Sequence, residues 1–147
     1  MKVLFLDIDG VVNSINTNFK TEHWPLDRYM AFLVGKIVLD TDCKVVLSSS
    51  WRHHPEGIET VEKHIVPIMD KTPYPWYDKQ TDHHSTRGEE IQKWLDAHPN
   101  VERYAILDDE SDMLPEQKDN FFKTTFLNGL TEEIANRVTE HLNSVDN

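Results

Sequence analysis

The most informative stretch of the sequence is Val3-Leu4-Phe5-Leu6-Asp7-Ile8-Asp9-Gly10, in which four apolar residues lead directly into two carboxylates and a glycine. A continuous apolar run of this length is typical of a strand that is buried on both faces of a parallel sheet. The carboxylates follow at its C-terminal end, which is where open α/β sheets bind their ligands. Two acidic side chains so close together repel each other, so they need a cation, a shared proton or different roles.

Length, composition and cysteine content limit the class of protein. With 147 residues, of which 38% are hydrophobic and 28% charged, we expect one globular domain over residues 1–147. No apolar run in the sequence approaches the roughly 20 residues that cross a bilayer, and residues 3–6 are too few for a secretory leader. Cys43 is the single cysteine, which excludes internal disulfides and favours a cytoplasmic location.

The formal net charge of −11 at pH 7 bears on the choice of partner. Binding along a nucleic-acid backbone needs a basic surface, so we expect no extended nucleic-acid interface. We also expect no membrane contact. The charge does not exclude recognition of a single phosphorylated end, and a bound cation would neutralise part of the acidic excess.

Strand and helix patterns alternate along the chain. Strands are predicted at 2–6, 44–47, 104–107 and 121–127, and helices at 26–39, 56–69, 87–97 and 131–142. Thr86 and Glu89 match a capping box before the third helix, and Thr131 is the predicted N-cap of the last. Residues 13–25 and 71–86 are predicted loops, the second with room for a short strand. This alternation predicts an α/β fold with a doubly wound, Rossmann-like parallel sheet flanked by helices.

Four polar clusters follow the predicted strands or open a helix: Asp7 with Asp9, residues 48–50 (three serines), Arg87, and residues 108–109 (two aspartates). Because the carboxyl ends of parallel strands share one edge of a sheet, the clusters can converge. Carboxylates suit Mg²⁺, which prefers oxygen ligands and substrate phosphates. Hydroxyls, an arginine and a helix N-terminus suit the remaining oxygens of a phosphate. The set is therefore complementary to a phosphoryl group.

These clusters resemble the four motifs of the haloacid dehalogenase (HAD) superfamily of aspartate-nucleophile phosphatases, in the same order. The matching segments are Asp7-Ile8-Asp9-Gly10, Val45-Val46-Leu47-Ser48-Ser49, Arg87 in place of the lysine or arginine of the third motif, and Ile106-Leu107-Asp108-Asp109. Residues 48–52 (Ser-Ser-Ser-Trp-Arg) and 87–91 (Arg-Gly-Glu-Glu-Ile) are similar to a narrower group. That group is the small HAD domains associated with RNA-repair proteins, including phage-type polynucleotide phosphatases.

The resemblance implies a role for each motif residue. Asp7 would attack phosphorus and form an aspartyl-phosphate, and Asp9 would protonate the leaving oxygen and then act as base on water. Mg²⁺ would be held by the carboxylate of Asp7, the backbone carbonyl of Asp9 and the carboxylate of Asp109. Asp108 would orient Arg87 or a metal-bound water.

Two registers stay open at this point. Ser48 would donate a hydrogen bond to the transferring phosphoryl group, but the run of serines leaves Ser49 as the alternative. In the fourth motif, Asp112 follows Asp108 at the spacing of the superfamily's other version. The direct metal ligand is therefore either Asp109 or Asp108.

Residues beside the motifs also have two interpretations each. Arg52 binds the substrate phosphate or pairs with a surface acid, and Trp51 stacks on a base or packs in the core. Gly10, at the turn of the first motif, is a predicted substrate-binding residue. The spacing of the motifs leaves no room for a large cap domain, so we expect an open site. Phe19 or Trp24, in the predicted loop 13–25, would then act as a small flap.

The sequence therefore favours a Mg²⁺-dependent phosphomonoesterase whose substrate is a nucleotide or a 3′-phosphorylated nucleic-acid end. A small-metabolite or phosphoprotein phosphatase with the same site is the alternative enzyme. A catalytically silent phosphate-binding module is the alternative of a different class. The presence of both Asp7 and Asp9 argues against the silent module, because a dead version would usually have lost one of them.

Overall fold

The structure is a computed structural model, and it describes residues 1–17 and 24–145. The strands are β1 (Lys2–Leu6), β2 (Lys44–Leu47), β3 (Asp70–Lys71), β4 (Tyr77–Asp78), β5 (His83–His84), β6 (Arg103–Asp108) and β7 (Phe121–Lys123). The helices are α1 (Arg28–Thr41), α2 (Pro55–His64), α3 (Arg87–Asp96) and α4 (Glu132–Asn143), with short 3₁₀ helices at Ser50–His53 and Pro115–Asn120.

Five of these strands form a parallel sheet in the order β3-β2-β1-β6-β7, while β4 and β5 pair with each other in an antiparallel hairpin. The chain adds β2 and β3 on one side of β1 and then adds β6 and β7 on the other side. The point between β1 and β6 is thus the topological switch point at which α/β sheets bind ligands. The α/β class with a parallel sheet flanked by helices is confirmed.

Alternate residues of β1 belong to the two halves of the core. Leu4 and Leu6 pack in a cluster with residues of α1, α2 and α4, whereas Val3 and Phe5 pack with residues of α3. All four side chains are fully buried. Burial on both faces explains why this strand is an unbroken apolar run rather than an alternating one.

The register of the central strands aligns the residues that follow them. Leu6 pairs with Leu47 of β2 and also with Leu107 of β6. The next residue of each strand, Asp7, Ser48 and Asp108 respectively, is therefore at the same level of the sheet. The fold brings together three residues that are far apart in the sequence.

Several predicted helix and strand bounds differ from the structure. The helix predicted at 56–69 ends at His64, and Ile65 is no longer helical. Pro67 disfavours the helical conformation of the residue before it, Val66, so the helix could not continue to residue 69. The strand predicted at 121–127 ends at Lys123. Its remaining residues form a turn that an isolated bridge between residues 125 and 129 closes, with Gly129 at a φ of +62°.

Local end signals were predicted more accurately. The side chain of Thr86 accepts from the backbone N–H of Glu89, and the Glu89 carboxylate accepts from that of Thr86, so the capping box is confirmed. The hydroxyl of Thr131 accepts from the N–H of Ile134 and caps α4, also as predicted. Among the described residues, no helix has the length and apolar character needed to span a bilayer.

Candidate functional site

Three carboxylates meet at the switch point of the sheet. Asp7 follows β1, Asp108 ends β6 and Asp109 comes next, and one oxygen from each lies within 4.8 Å of the other two. Asp7 is 5% exposed and Asp108 is fully buried. Buried charges of one sign at this spacing are costly unless a proton or a cation lies between them. The arrangement therefore fits a group that brings positive charge.

Among the described residues, the positive side chain that pairs with this cluster is that of Arg87. Its Nη1 atom lies 2.8 Å from Oδ2 of Asp108 and 3.4 Å from Oδ1 of Asp7. Arg87 is the first residue of α3, and its backbone N–H donates to Oδ2 of Asp112 at 2.9 Å. In this part of the chain one guanidinium faces three carboxylates, so the described groups of the cluster carry an excess of formal negative charge.

The pKa values of the buried groups reflect their burial first and their charged neighbours second. Burial raises the pKa of Asp7 well above its ordinary value, and the neighbouring Asp108 carboxylate raises it further although Arg87 opposes the shift. Burial also raises the pKa of Asp108 against the effect of Arg87. Burial alone would lower the pKa of Arg87, but Asp108 and Asp7 outweigh it and raise that pKa. Both carboxyl groups thus hold protons more strongly than in water when no cation is present.

The two candidate serines are in different situations. The hydroxyl of Ser49 accepts from the N–H of Trp51 at 3.1 Å and caps the 3₁₀ helix that begins at Ser50. The hydroxyl of Ser48 is fully buried and finds no hydrogen-bond partner among the described residues. An unpaired buried hydroxyl costs free energy unless a ligand satisfies it. The hydroxyl of Ser48 is thus unpaired, whereas that of Ser49 is used as an acceptor in the cap and keeps its own O–H to donate.

Gly10 makes the turn that brings the first motif against Asp109. Its φ of +82° is in the left-handed region, and a Cβ atom there would collide with Oδ2 of Asp109. The backbone N–H of Gly10 donates to Oδ1 of Asn13 at 2.8 Å, and its carbonyl accepts from Thr124 at 2.6 Å. Glycine is thus required here by both conformation and space.

Both oxygens of the Asp9 carboxylate accept hydrogen bonds from neutral donors. Nδ2 of Asn13 donates to Oδ1 at 2.9 Å, and the indole N–H of Trp51 donates to Oδ2 at 3.1 Å. The sequence analysis missed Asn13, although asparagine is a common turn residue whose side chain hydrogen-bonds nearby backbone groups. Trp51 is 4% exposed, so it packs in the core and does not offer a face for stacking on a base.

The environment of Arg52 corrects both sequence interpretations. The side chain is 2% exposed, and its partner is the buried carboxylate of Glu90 at 2.8 Å rather than a surface acid. Its other N–H groups donate to four backbone carbonyls, those of Ser48, Ser49, Thr72 and Pro73. All five guanidinium donors are therefore used within the protein, and none is left for a substrate phosphate.

The alternative register of the fourth motif does not match the geometry. Asp112 accepts from the backbone N–H groups of Arg87 and Gly88 through its side chain and its carbonyl, respectively, so it fixes the start of α3. Asp109, not Asp112, completes the group of three carboxylates. Asp108 is in that group too, but its two oxygens already accept from Arg87 and from the N–H of Glu110.

Only part of the predicted flap can be described. Phe19 lies outside the described residues. Trp24 packs edge-to-face on Trp51, with ring centroids 4.9 Å apart, and thus contacts the side chain that holds Asp9. This contact of Trp24 with Trp51 is on the side of the predicted loop 13–25.

Comparison with known families gives a match over most of the chain. Residues 3–135 match the family described as the HAD domain in Swiss Army Knife RNA repair proteins. A search of curated proteins and a search of solved structures found no significant match. The matched residues include every motif residue described above.

Replacing Asp7 by Asn is expected to stabilise the metal-free protein by about 1 kcal/mol at neutral pH, because it removes one of three crowded negative charges. The raised pKa of Asp7 sets the sign of the pH dependence. Below that pKa the wild-type group takes up a proton more readily when folded, so wild-type stability increases as the pH falls and the difference shrinks. Urea unfolding with EDTA at several pH values measures this, and a less stable Asp7→Asn protein at neutral pH would contradict it.

Replacing Glu90 by Gln is expected to destabilise the protein by about 3 kcal/mol, because it leaves the buried guanidinium of Arg52 without its counter-charge. Asp40→Asn is the matched control, since it breaks an ion pair with Lys36 of the same 2.8 Å length at an exposed position. The control is expected to cause no measurable change. Equal urea midpoints for the two variants would show that the buried pair does not support the fold.

Proposed function

The chain belongs to the HAD domains of Swiss Army Knife RNA repair proteins, and we propose that it is a Mg²⁺-dependent phosphomonoesterase acting through an aspartyl-phosphate on Asp7. The family points to phosphatase-type chemistry. The observation that carries the proposal is the group of three carboxylates formed by Asp7, Asp108 and Asp109. Arg87 and the unpaired hydroxyl of Ser48 are the candidate phosphate ligands.

The donor set fits magnesium. Carboxylate and carbonyl oxygens are its preferred ligands, and one carboxylate oxygen from each of Asp7, Asp108 and Asp109 lies within 4.8 Å of the other two. Asp7, Asp109 and the backbone carbonyl of Asp9 would hold the ion. When bound, Mg²⁺ would neutralise the carboxylates and the phosphoryl oxygens, which allows an anionic substrate to approach an anionic nucleophile.

The residues divide the reaction between them. A carboxylate oxygen of Asp7 attacks phosphorus while the bond to the leaving oxygen breaks, and the carboxyl group of Asp9 gives its proton to that oxygen. Water then attacks the phosphorus of the aspartyl-phosphate and gives a proton back to Asp9, which releases phosphate and restores Asp7. Arg87 and Ser48 bind the phosphoryl oxygens through the transition state, and Asp108 orients Arg87.

A nucleotide or a 3′-phosphorylated nucleic-acid end is the substrate class we propose. The family description supports it through its link to RNA repair. The net charge of −11 supports recognition of an end rather than of a long backbone. Small phosphorylated metabolites and phosphoproteins would use the same machinery, so the test below includes them.

The proposal is tested by phosphate release from a panel of substrates, with Mg²⁺ and with EDTA. The panel contains nucleoside monophosphates, oligonucleotides with 3′- or 5′-phosphates, sugar phosphates and a phosphopeptide. Asp7→Asn is expected to lower kcat by at least about 10³-fold, because it removes the nucleophile. Asp40→Asn, which removes an equal charge from the surface of α1, is expected to keep full activity.

The outcomes separate the candidate functions. Mg²⁺-dependent release that is highest for 3′-phosphorylated oligonucleotides or nucleotides supports the proposal. Preference for sugar phosphates or the phosphopeptide would support the proposed phosphatase reaction but reject the proposed nucleotide or nucleic-acid substrate. No release that depends on Asp7 would reject the enzyme and favour the silent phosphate-binding module.

A further inference from the structure

We propose that Trp51 is a positioning residue for the acid–base step, because its indole N–H fixes the orientation of the Asp9 carboxyl group. This inference rests on the proposed function and names a residue that the chemistry needs in addition to the motif aspartates. The direct observation is the 3.1 Å hydrogen bond from Nε1 of Trp51 to Oδ2 of Asp9. The two residues are 42 positions apart in the sequence, so the contact is a product of the fold.

The Trp51 side chain is itself held rigidly. Its backbone N–H donates to the hydroxyl of Ser49, and its carbonyl accepts from the N–H of His54. Its ring packs edge-to-face on Trp24, and Gly57 is so close to its backbone that a Cβ atom there would collide with the Trp51 carbonyl. A donor with this little freedom can define the orientation of its acceptor.

The two hydrogen bonds on Asp9 leave it able to transfer a proton. A carboxylate offers about four lone-pair positions, and the donors Trp51 and Asn13 occupy one on each oxygen. The remaining positions can carry the proton that passes to the leaving oxygen and later returns from water. Both donors are neutral N–H groups, so they restrain the orientation of the carboxyl group without placing a formal charge beside it.

The location of Trp51 also links the two halves of the reaction. The same segment, residues 48–51, carries the free hydroxyl of Ser48 and the indole that holds Asp9. Arg52 fixes this segment through the carbonyls of Ser48 and Ser49. A single rigid loop therefore sets the phosphate ligand and the acid at a constant separation.

The test compares Trp51→Phe with Trp94→Phe. Trp94 is a matched control, because it is also buried and its indole N–H also donates to a carboxylate, that of Asp70 at 2.8 Å, on another part of the sheet edge. kcat/KM is measured with phenyl phosphate, whose leaving oxygen needs a proton, and with 4-nitrophenyl phosphate, whose leaving group departs as a stable anion. Incorporation of 3-benzothienylalanine at position 51 removes only the N–H donor and serves as the variant that preserves shape.

We expect Trp51→Phe and the benzothienyl variant to lower kcat/KM for phenyl phosphate by about tenfold or more, and to change that for 4-nitrophenyl phosphate much less. Trp94→Phe should change neither. If the role of Trp51 were purely structural, kcat/KM would fall equally for both substrates. That result, or no loss of kcat/KM with either substrate, would overturn the inference. Wild-type protein without Asp7-dependent turnover would overturn the proposed function itself, which is a separate result.

Discussion

Repulsion among the carboxylates of Asp7, Asp108 and Asp109 is the constraint on which the rest of the site depends. The sheet register forces the first two to one level, and both are buried there. Arg87 offsets part of the repulsion and is itself fixed by the capped start of α3. The remaining negative charge makes the site unfavourable when empty, which is the basis of the proposed binding of a cation and a phosphoryl group. Such stored cost is common at functional sites.

A second set of residues holds the proposed reactive groups in fixed positions. The buried pair of Arg52 and Glu90 anchors the loop that carries Ser48. Asn13 and Trp51 hold the carboxyl group of Asp9 from two sides. These contacts cross between β1, the loop after β2 and α3, so the packing of the core and the geometry of the site depend on each other.

The sequence predicted those features that depend on local pattern. The apolar run of β1, the capping box at Thr86 and the convergence of motifs at strand ends all follow from short-range signals or from a general rule of parallel sheets. The pair of Arg52 with Glu90, 38 residues apart, does not, since it depends on how α3 packs. The two-residue strands β3, β4 and β5 are too short to show any periodicity.

The central claim is that Asp7 becomes covalently phosphorylated, and chemical trapping tests it most directly. The protein is mixed with Mg²⁺ and a substrate that it hydrolyses, and the reaction is quenched and treated with borohydride. Borohydride reduces an aspartyl-phosphate to homoserine. Peptide mass spectrometry then locates the modified position. We expect homoserine at position 7 and none without substrate. Turnover with no modification at position 7, or with modification of another aspartate, would contradict the account.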